Sequence, residues 1–391
     1  MTPLKFVLLF LIEIIVLFIT CFWVTGRLRV VLVGRGLLDI PNARSSHSRA
    51  TPRGGGLGIV LTFLAATCFL WFRGSLPTGV FHGILIGGGT IAVAGFVDDV
   101  VSLPFWAKGL IHIAAASWAI SCLGRLAPLN LGWVTWEWGR IGQVVSVLGV
   151  VWMTNLYNFM DGIDGMAGME AACASGLGGL VLLCGGLDGL ATGAFALTGA
   201  SAGFLVWNWQ PAKIFMGDVG SGFVGFVFAV LALASAKEHP WLFWPWLILL
   251  SVFIVDSTLT LTRRLIAGAR WYEAHRSHAY QHAAQRYASH SRVTLTIGAV
   301  NIAWLFPLAL GACIWKAAAP LFAVVAMAPL VYLALRFGAG QDARPSHLFC
   351  LTAVSCSTPA VPRPEHNEHI ATKEGSLSPC QDSKFSASSA T

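Results

Sequence analysis

The chain has 391 residues, 56% of them hydrophobic and only 11% charged, with a mean hydropathy of +0.70 and a formal net charge of +7. Soluble domains carry about 25% charged residues, so an ordinary globular fold is excluded. High apolarity with little charge per residue excludes a disordered chain as well. The basic excess is scattered among loops and forms no soluble face interleaved with aromatics, which excludes nucleic acid as a partner.

A membrane crossing needs about 20 mainly apolar residues. That ruler predicts eleven transmembrane helices, at 4–24, 54–72, 78–97, 105–122, 142–160, 166–185, 189–209, 219–236, 241–261, 293–315 and 317–336. Barrel strands would alternate apolar and polar residues, and runs such as Phe6 to Phe22 do not, so the fold class is an all-α polytopic membrane protein. The first run carries a lone Lys5, an acidic Glu13 and no small-residue cleavage site, so it is read as a mature helix. Segment 25–53 carries Arg27, Arg29, Arg35, Arg44, Arg49 and Arg53, and segment 262–292 carries Arg263, Arg264, Arg270, Arg276, Arg286 and Arg292. Eleven crossings put both segments on one side, and basic loops stay inside. The expectation is therefore a periplasmic N-terminus and a cytoplasmic C-terminus. The Trp-rich segment 123–141 reads as an interfacial hairpin or short amphipathic stretch.

The nine cysteines are odd in number, include no C-x-x-C pair and mostly lie in apolar spans, so neither a disulfide framework nor a zinc site is supported. Residues 337–391 include 13 Ser or Thr with recurrent Pro and no apolar period. They are expected to be a disordered tail following a transmembrane domain at 1–336.

Only thirteen acidic residues precede that tail. Asp39, Asp98, Asp99, Asp161, Asp164, Asp218 and Glu273 fall in or beside the loops of the basic side, with Glu170 and Asp256 within about two helical turns of it. Acids contribute little to topology, so the concentration calls for another cause.

Four stretches carry it. In Gly95-Phe-Val-Asp98-Asp99, two adjacent carboxylates repel unless a cation or a proton lies between them. Mg²⁺ suits such a pair, because it binds through one or two carboxylates plus phosphate oxygens. In Asn155-Leu-Tyr-Asn158-Phe-Met-Asp161-Gly-Ile-Asp164-Gly, a spacing of three sets four polar groups near one face at the end of the fifth helix. Capping would explain one of them, not four. Met216-Gly217-Asp218-Val-Gly220-Ser221 opens the eighth helix, where glycines and free N–H groups could receive phosphate. In Glu273-Ala-His275-Arg276-Ser-His278-Ala-Tyr-Gln-His282, spacings of three and four set the histidines on one helical face. The neighbouring arginines favour a polyanion over zinc. A further basic, Gly-rich run from Asp39 to Gly56 fits phosphate or serves topology alone. Membrane-embedded chemistry on a phosphorylated substrate with Mg²⁺ accounts for all of these stretches on one face.

These motifs, in this order over about residues 27–336, resemble the cytoplasmic-loop motifs of the bacterial polyprenyl-phosphate N-acetylhexosamine-1-phosphate transferases, glycosyltransferase family 4. The runs Arg44-Ser-Ser-His47 to Gly56 and His275-Arg-Ser-His278-Ala-Tyr-Gln281 look like the branch that initiates O-antigen or capsule synthesis. The peptidoglycan branch, which uses UDP-muramoyl-pentapeptide, typically shows a His triplet that is absent here, so that phospho-MurNAc-pentapeptide transferase is the second reading.

The resemblance implies transfer of N-acetylhexosamine 1-phosphate, of GlcNAc or 6-deoxy-HexNAc type, from a UDP-sugar to undecaprenyl phosphate at the inner membrane, with release of UMP. Carried over by motif, Asp218 and Asp99 would ligate Mg²⁺, with Mn²⁺ as a substitute, and Asp98 or Asp99 would deprotonate the lipid phosphate. Asn155, Asn158, Asp161 and Asp164 would hold nucleotide and diphosphate. Arg49, Lys108, Lys213, His275, Arg276, His278 and His282 would contact diphosphate or sugar. Direct attack by the lipid phosphate and prior capture on an aspartate both fit. The family often forms homodimers. The lipid acceptor must arrive sideways through a groove between helices, with small residues such as Gly87, Gly88 and Gly89 permitting close packing. A secondary transporter, the alternative from another class, would place ionisable groups near the midplane and show internal repeats; neither is evident here.

Overall fold

The computed structural model describes residues 3–40, 50–124, 128–130, 134–136, 139–269 and 275–341. Arg49, Glu273, the Arg44 to His47 run and the tail beyond 341 lie outside the described residues.

Each of the eleven predicted stretches falls on a helix. In chain order these are α1 (Pro3–Gly34), α2 (Leu57–Phe72), α3 (Thr78–Val101), α4 (Phe105–Leu123), α5 (Gly139–Phe159), α6 (Met166–Cys184), α7 (Asp188–Asn208) and α8 (Asp218–Glu238). The ninth stretch is two helices, α9 (Pro240–Leu249) and α10 (Ser251–Ile266); then come the short α11 (Ala279–Tyr287), α12 (His290–Ile314) and α13 (Ala319–Arg336). Among the described residues eight helices are long and apolar enough to cross a membrane, or nine with the α9–α10 pair, and α2 is a shorter apolar helix.

The predicted continuous span 241–261 is broken at Leu250, with a bend of 74°. The composition changes at that point. Helix α9 is apolar, whereas α10 carries Asp256, Thr258, Thr260, Arg263 and Arg264, which hydrocarbon would not solvate. The hairpin expected within 123–141 is present as β3 (Leu129–Asn130) antiparallel to β4 (Thr135–Trp136). In the segment after α1, β1 (Leu38–Asp39) pairs with β2 (Thr51–Pro52). Residues 337–341 close on the body of the protein: Arg263 Nη1 donates to Ala339 O at 2.7 Å, and Gly340 N–H to Ser277 O at 2.7 Å.

Helix α8 is the central post. It is apolar all round, the pattern of a helix with no outward face, and Phe223, Phe226 and Phe228 on it are fully buried. Helix α1 is peripheral, with Leu8, Leu11, Ile15 and Trp23 exposed. It leans on α7 at Gly199 and Gly203, where an added Cβ would meet the carbonyls of Ile14 and Phe18 at 2.6 and 2.3 Å. Small residues of this kind are what bring helices together in lipid. Gly87 and Gly88 pack against Phe226 and Phe223, while Gly89 has open space beside it.

Candidate active site

The same device assembles the polar end of the bundle. A Cβ on Gly95 of α3 would lie 2.5 Å from the Asp218 carbonyl carbon, and one on Gly56 would lie 2.4 Å from Gly220 Cα. Only residues without a side chain permit such approaches, so the end of α3, the start of α2 and the start of α8 converge. The Gly55 and Gly56 N–H groups donate to the Phe215 and Met216 carbonyls at 2.8 Å, and Phe215 N–H donates to Pro52 O at 2.9 Å.

At this junction Arg53 bridges two aspartates from different helices. Its Nε donates to Asp99 Oδ1 at 2.7 Å, and its Nη2 donates to Asp218 Oδ1. Asp99 also accepts the N–H groups of Asp218 and Val219 at 3.0 and 3.2 Å. The amides expected to be open for phosphate at the start of α8 are therefore held by a carboxylate, the charge a helix N-terminus favours. Asn158 Nδ2 donates to Asp218 Oδ2 at 3.1 Å, and Ser221 Oγ donates to Asn158 Oδ1 at 3.2 Å. Asp98 accepts from Lys108 Nζ at 2.9 Å and from Leu103 N–H at 2.6 Å, and its carboxyl also lies within hydrogen-bonding reach of Asp218. The adjacent pair thus separates into two ion pairs.

Asp161 lies in the loop after α5, within electrostatic range of Arg53, Asp218, Asp99 and Asp164. Burial, reinforced by the three neighbouring carboxylates and opposed by Arg53, pushes its pKa up to about 7. Burial disfavours the charged form of Arg53, but the carboxylates of Asp218 and Asp99 outweigh it and raise the guanidinium pKa.

The four groups Asn155, Asn158, Asp161 and Asp164 do not share one helical face, because α5 ends at Phe159. Asn155 points to α4: its Nδ2 contacts Val151 O at 2.7 Å and His112 Nδ1 at 3.1 Å. The amide thus donates to both, which leaves the His112 proton on Nε2. His112 sits one turn beyond Lys108 on the same helix, within electrostatic range of Lys108 and Asp98. Sequence reasoning missed it. An ionisable residue inside an apolar span was the available signal.

Asp164 faces a separate cleft of about 600 Å³, lined among others by Thr51, Phe215, Gln210, Arg276, Gln281 and His290. Asp164 Oδ2 accepts Ala212 N–H at 3.1 Å, while Asp164 N–H donates to His290 Nδ1 at 3.3 Å. Ser291 N–H donates to Gln210 Oε1 at 2.6 Å. Gln210 and His290 were not singled out in the sequence, because neither stands in a spaced motif. Thr51 and Phe215 belong to the segments that carry Arg53 and Asp218, so cleft and carboxylates are neighbours.

The histidine run is not one helical face. His275 and His278 precede α11, and only His282 lies on it. The rings of His275 and His278 stack at 5.0 Å, and His278 Nδ1 lies 3.2 Å from Asp256 Oδ1. His282 Nδ1 donates to Phe337 O at 2.7 Å. Of this run, Arg276 lines the cleft. Lys213 is exposed, with its Nζ 5.5 Å from the Trp207 ring centroid.

Among the described residues no three His, Cys, Asp or Glu side chains form a ready cage for a metal. The donors that do converge, the carboxylates of Asp99 and Asp218 with Asp98 beside Asp218, are hard oxygens. Two carboxylates with the rest supplied by phosphate and water is what Mg²⁺ accepts and what Zn²⁺ does not prefer. These residues fit Mg²⁺, and Asp218 and Asp99 are the side chains that would hold it.

A bundle of apolar helices with buried acids and amides beside a polar cleft at one end fits an integral membrane enzyme that acts on a phosphorylated substrate. The sequence profile of glycosyl transferase family 4 matches residues 81–236, which run from α3 through α8. The undecaprenyl-phosphate alpha-N-acetylglucosaminyl 1-phosphate transferase of Pasteurella multocida is 34% identical over 282 residues, covering 69% of this chain and 77% of that one. The decaprenyl-phosphate N-acetylglucosaminephosphotransferase of Mycobacterium tuberculosis is 30% identical over 316 residues, or 71% of this chain and 76% of that one. An undecaprenyl-phosphate alpha-N-acetylglucosaminyl 1-phosphate transferase of Salmonella typhi is 26% identical over 288 residues, 70% and 77% of the two chains. The chain belongs to the polyprenyl-phosphate N-acetylhexosamine-1-phosphate transferase family.

Proposed function

We propose that this protein transfers N-acetylglucosamine 1-phosphate from UDP-N-acetylglucosamine to undecaprenyl phosphate at the cytoplasmic face of the bacterial inner membrane, releasing UMP and initiating a lipid-linked surface polysaccharide such as O-antigen. Its relatives' names support the hexosamine and the polyprenyl acceptor. The observation that carries the reading is the adjacency of the 600 Å³ cleft to the Arg53–Asp99–Asp218 cluster. A nucleotide sugar lying in the cleft would present its diphosphate to the cluster.

The chain's own residues divide the work. Arg276, Gln281 and His290 line the cleft and supply donors for the nucleotide sugar, while Asp164 holds the His290 ring in place. Asp161, with its pKa near 7, suits proton acceptance from the acceptor phosphate at neutral pH. Lys108, paired with Asp98 of α3, and His112, paired through Nδ1 with Asn155 of α5, sit one turn apart on α4, where they would offer a charge and an N–H donor to a lipid phosphate arriving from the bilayer. Bound Mg²⁺ would neutralise charge that develops on the diphosphate and the departing UMP. A phosphate oxygen of the lipid forms the new P–O bond to the sugar-bearing phosphorus, and the bond to UMP breaks.

The deciding experiment is UMP release from UDP-N-acetylglucosamine with undecaprenyl phosphate and Mg²⁺, using protein purified in detergent. Absence of UMP across a panel of UDP-N-acetylhexosamines would overturn the proposal.

A further inference from the structure

We infer that Arg53 is an exchangeable counter-cation. It closes the Asp99–Asp218 pair in the resting protein and moves to the donor's diphosphate when a divalent cation takes the pair. This rests on the metal reading above and adds a residue and a coupling to it.

The argument begins with charge. Asp99 and Asp218 are brought together by the Gly95 contact, with side chains only 4% and 13% exposed. Two carboxylates so placed cannot both stay ionised without a cation between them. Arg53 supplies it: its Nε and Nη2 bind the Oδ1 atoms of the two aspartates. Beside Arg53, Asp99 Oδ1 also accepts Asp218 N–H, while Asp99 Oδ2 is held by Val219 N–H and Asp218 Oδ2 by Asn158 Nδ2. A guanidinium and a divalent cation cannot occupy the same gap, so the bridge must open for metal to bind.

Arg53 is built to open. Its side chain is 41% exposed, unlike those of its partners. Its backbone is fastened by a parallel bridge to Phe215, so opening needs side-chain rotation and no chain movement. Arg53 also lines a second pocket of about 290 Å³ with Asp39, Phe96 and Asp99. Thr51, two residues before it, and its bridge partner Phe215 line the donor cleft, which leaves a diphosphate there within reach of a long side chain. Arginine suits the exchange because its planar fork binds carboxylate and phosphate in the same bidentate manner. Without the swap, the site would hold cation and anion ligands in competition; with it, donor and metal assist each other.

The test reads metal binding, not turnover. Mn²⁺ affinity is measured by electron paramagnetic resonance on the full chain in detergent, for wild type, Arg53→Gln and Arg53→Lys, with and without UDP. If the bridge is closed about 90% of the time or more, it weakens apparent metal affinity about tenfold. Arg53→Gln should therefore bind Mn²⁺ about tenfold more tightly than wild type without UDP, with Arg53→Lys in between, since its ammonium cannot span both carboxylates. UDP should tighten Mn²⁺ binding to wild type beyond the strength of the free Mn²⁺–UDP complex, and that excess should vanish in Arg53→Gln. Equal or weaker Mn²⁺ binding by Arg53→Gln, or coupling to UDP that survives the substitution, overturns the inference alone. Absence of Mn²⁺ binding by all three proteins overturns the metal reading together with it.

Discussion

Two aspartates, Asp218 and Asp256, sit on helices at the polar end of the bundle and could pass for equivalents in the sequence. Their surroundings separate them. Asp256 is saturated from within the fold. It accepts from Thr260 Oγ1 and Ala279 N–H at 3.0 Å and from His278 Nδ1 at 3.2 Å on one oxygen, and from Tyr280 N–H at 3.0 Å on the other. Those donors fix the N-terminus of α11, so Asp256 builds the wall of the cleft and has nothing left for a ligand. Asp218 shares its principal partner, the half-exposed Arg53, with Asp99. A carboxylate whose cation can leave is available for chemistry; one filled by backbone amides is not.

Substitution should sharpen that contrast. Asp218→Asn and Asp99→Asn should each lower the rate of UMP release by about a thousandfold or more, as expected when charge facing a transferring phosphoryl group is lost. Both should remain folded, because the amide oxygen keeps one side of the acceptor pattern and only one buried donor loses its partner. Asp256→Leu should do the reverse damage. It strands the amides of Ala279 and Tyr280 together with His278, and breaking a buried pair costs about 3–5 kcal/mol. Thermal unfolding in detergent should show a large loss for Asp256→Leu and a small one for Asp218→Asn. If the two variants exchanged these phenotypes, the contrast would be wrong.

A smaller effect separates cleft from cluster. His290→Ala should raise the KM for the UDP-sugar about tenfold while changing kcat little, because the ring lines the cleft and does not touch the carboxylate pair. His112→Leu should instead raise the KM for undecaprenyl phosphate, by about tenfold, the lower end of the worth of one hydrogen bond to a charged group. A change in the wrong KM for either variant would mean that the two sides of the site are assigned in reverse.

The helical architecture was legible because lipid leaves the backbone few options and long apolar runs mark them. The break at Leu250 was not, since a window of apolar residues does not register the change from α9 to the Thr- and Arg-bearing α10. Asp98, Asp99, Asn158, Asp161 and Asp218 were legible as a group because acids are scarce. Lys108, the partner of Asp98, stood close enough in the chain to be singled out, but distant partners were hidden: Arg53 reaches Asp218 across 165 positions, and His112 reaches Asn155 across 43. Spacing also failed at the histidines. Periods of three and four mark a face only where a helix exists, and α11 begins after His278.

The smallest effect tests the strain inside the cluster. Asp161 has a folded-state pKa of about 7 against an ordinary value of 3.8, so its ionised form is disfavoured in the fold. An acid with a raised pKa holds its proton in the folded chain after the unfolded chain has released it. Stability from this group is therefore complete below about pH 4, falls as pH rises toward 7, and is fully lost above that. Asp161→Asn removes the titration. Without added metal, the variant should unfold a few degrees above wild type at pH 8, and the gap should narrow on lowering the pH to 5 and close near pH 4. Adding Mg²⁺ at pH 8 should narrow the gap by stabilising wild type, because cation binding relieves the repulsion that the substitution removes. A gap that stayed constant from pH 5 to 8 would mean that Asp161 carries no proton at neutral pH, and that the acid–base role must pass to another residue of the cluster.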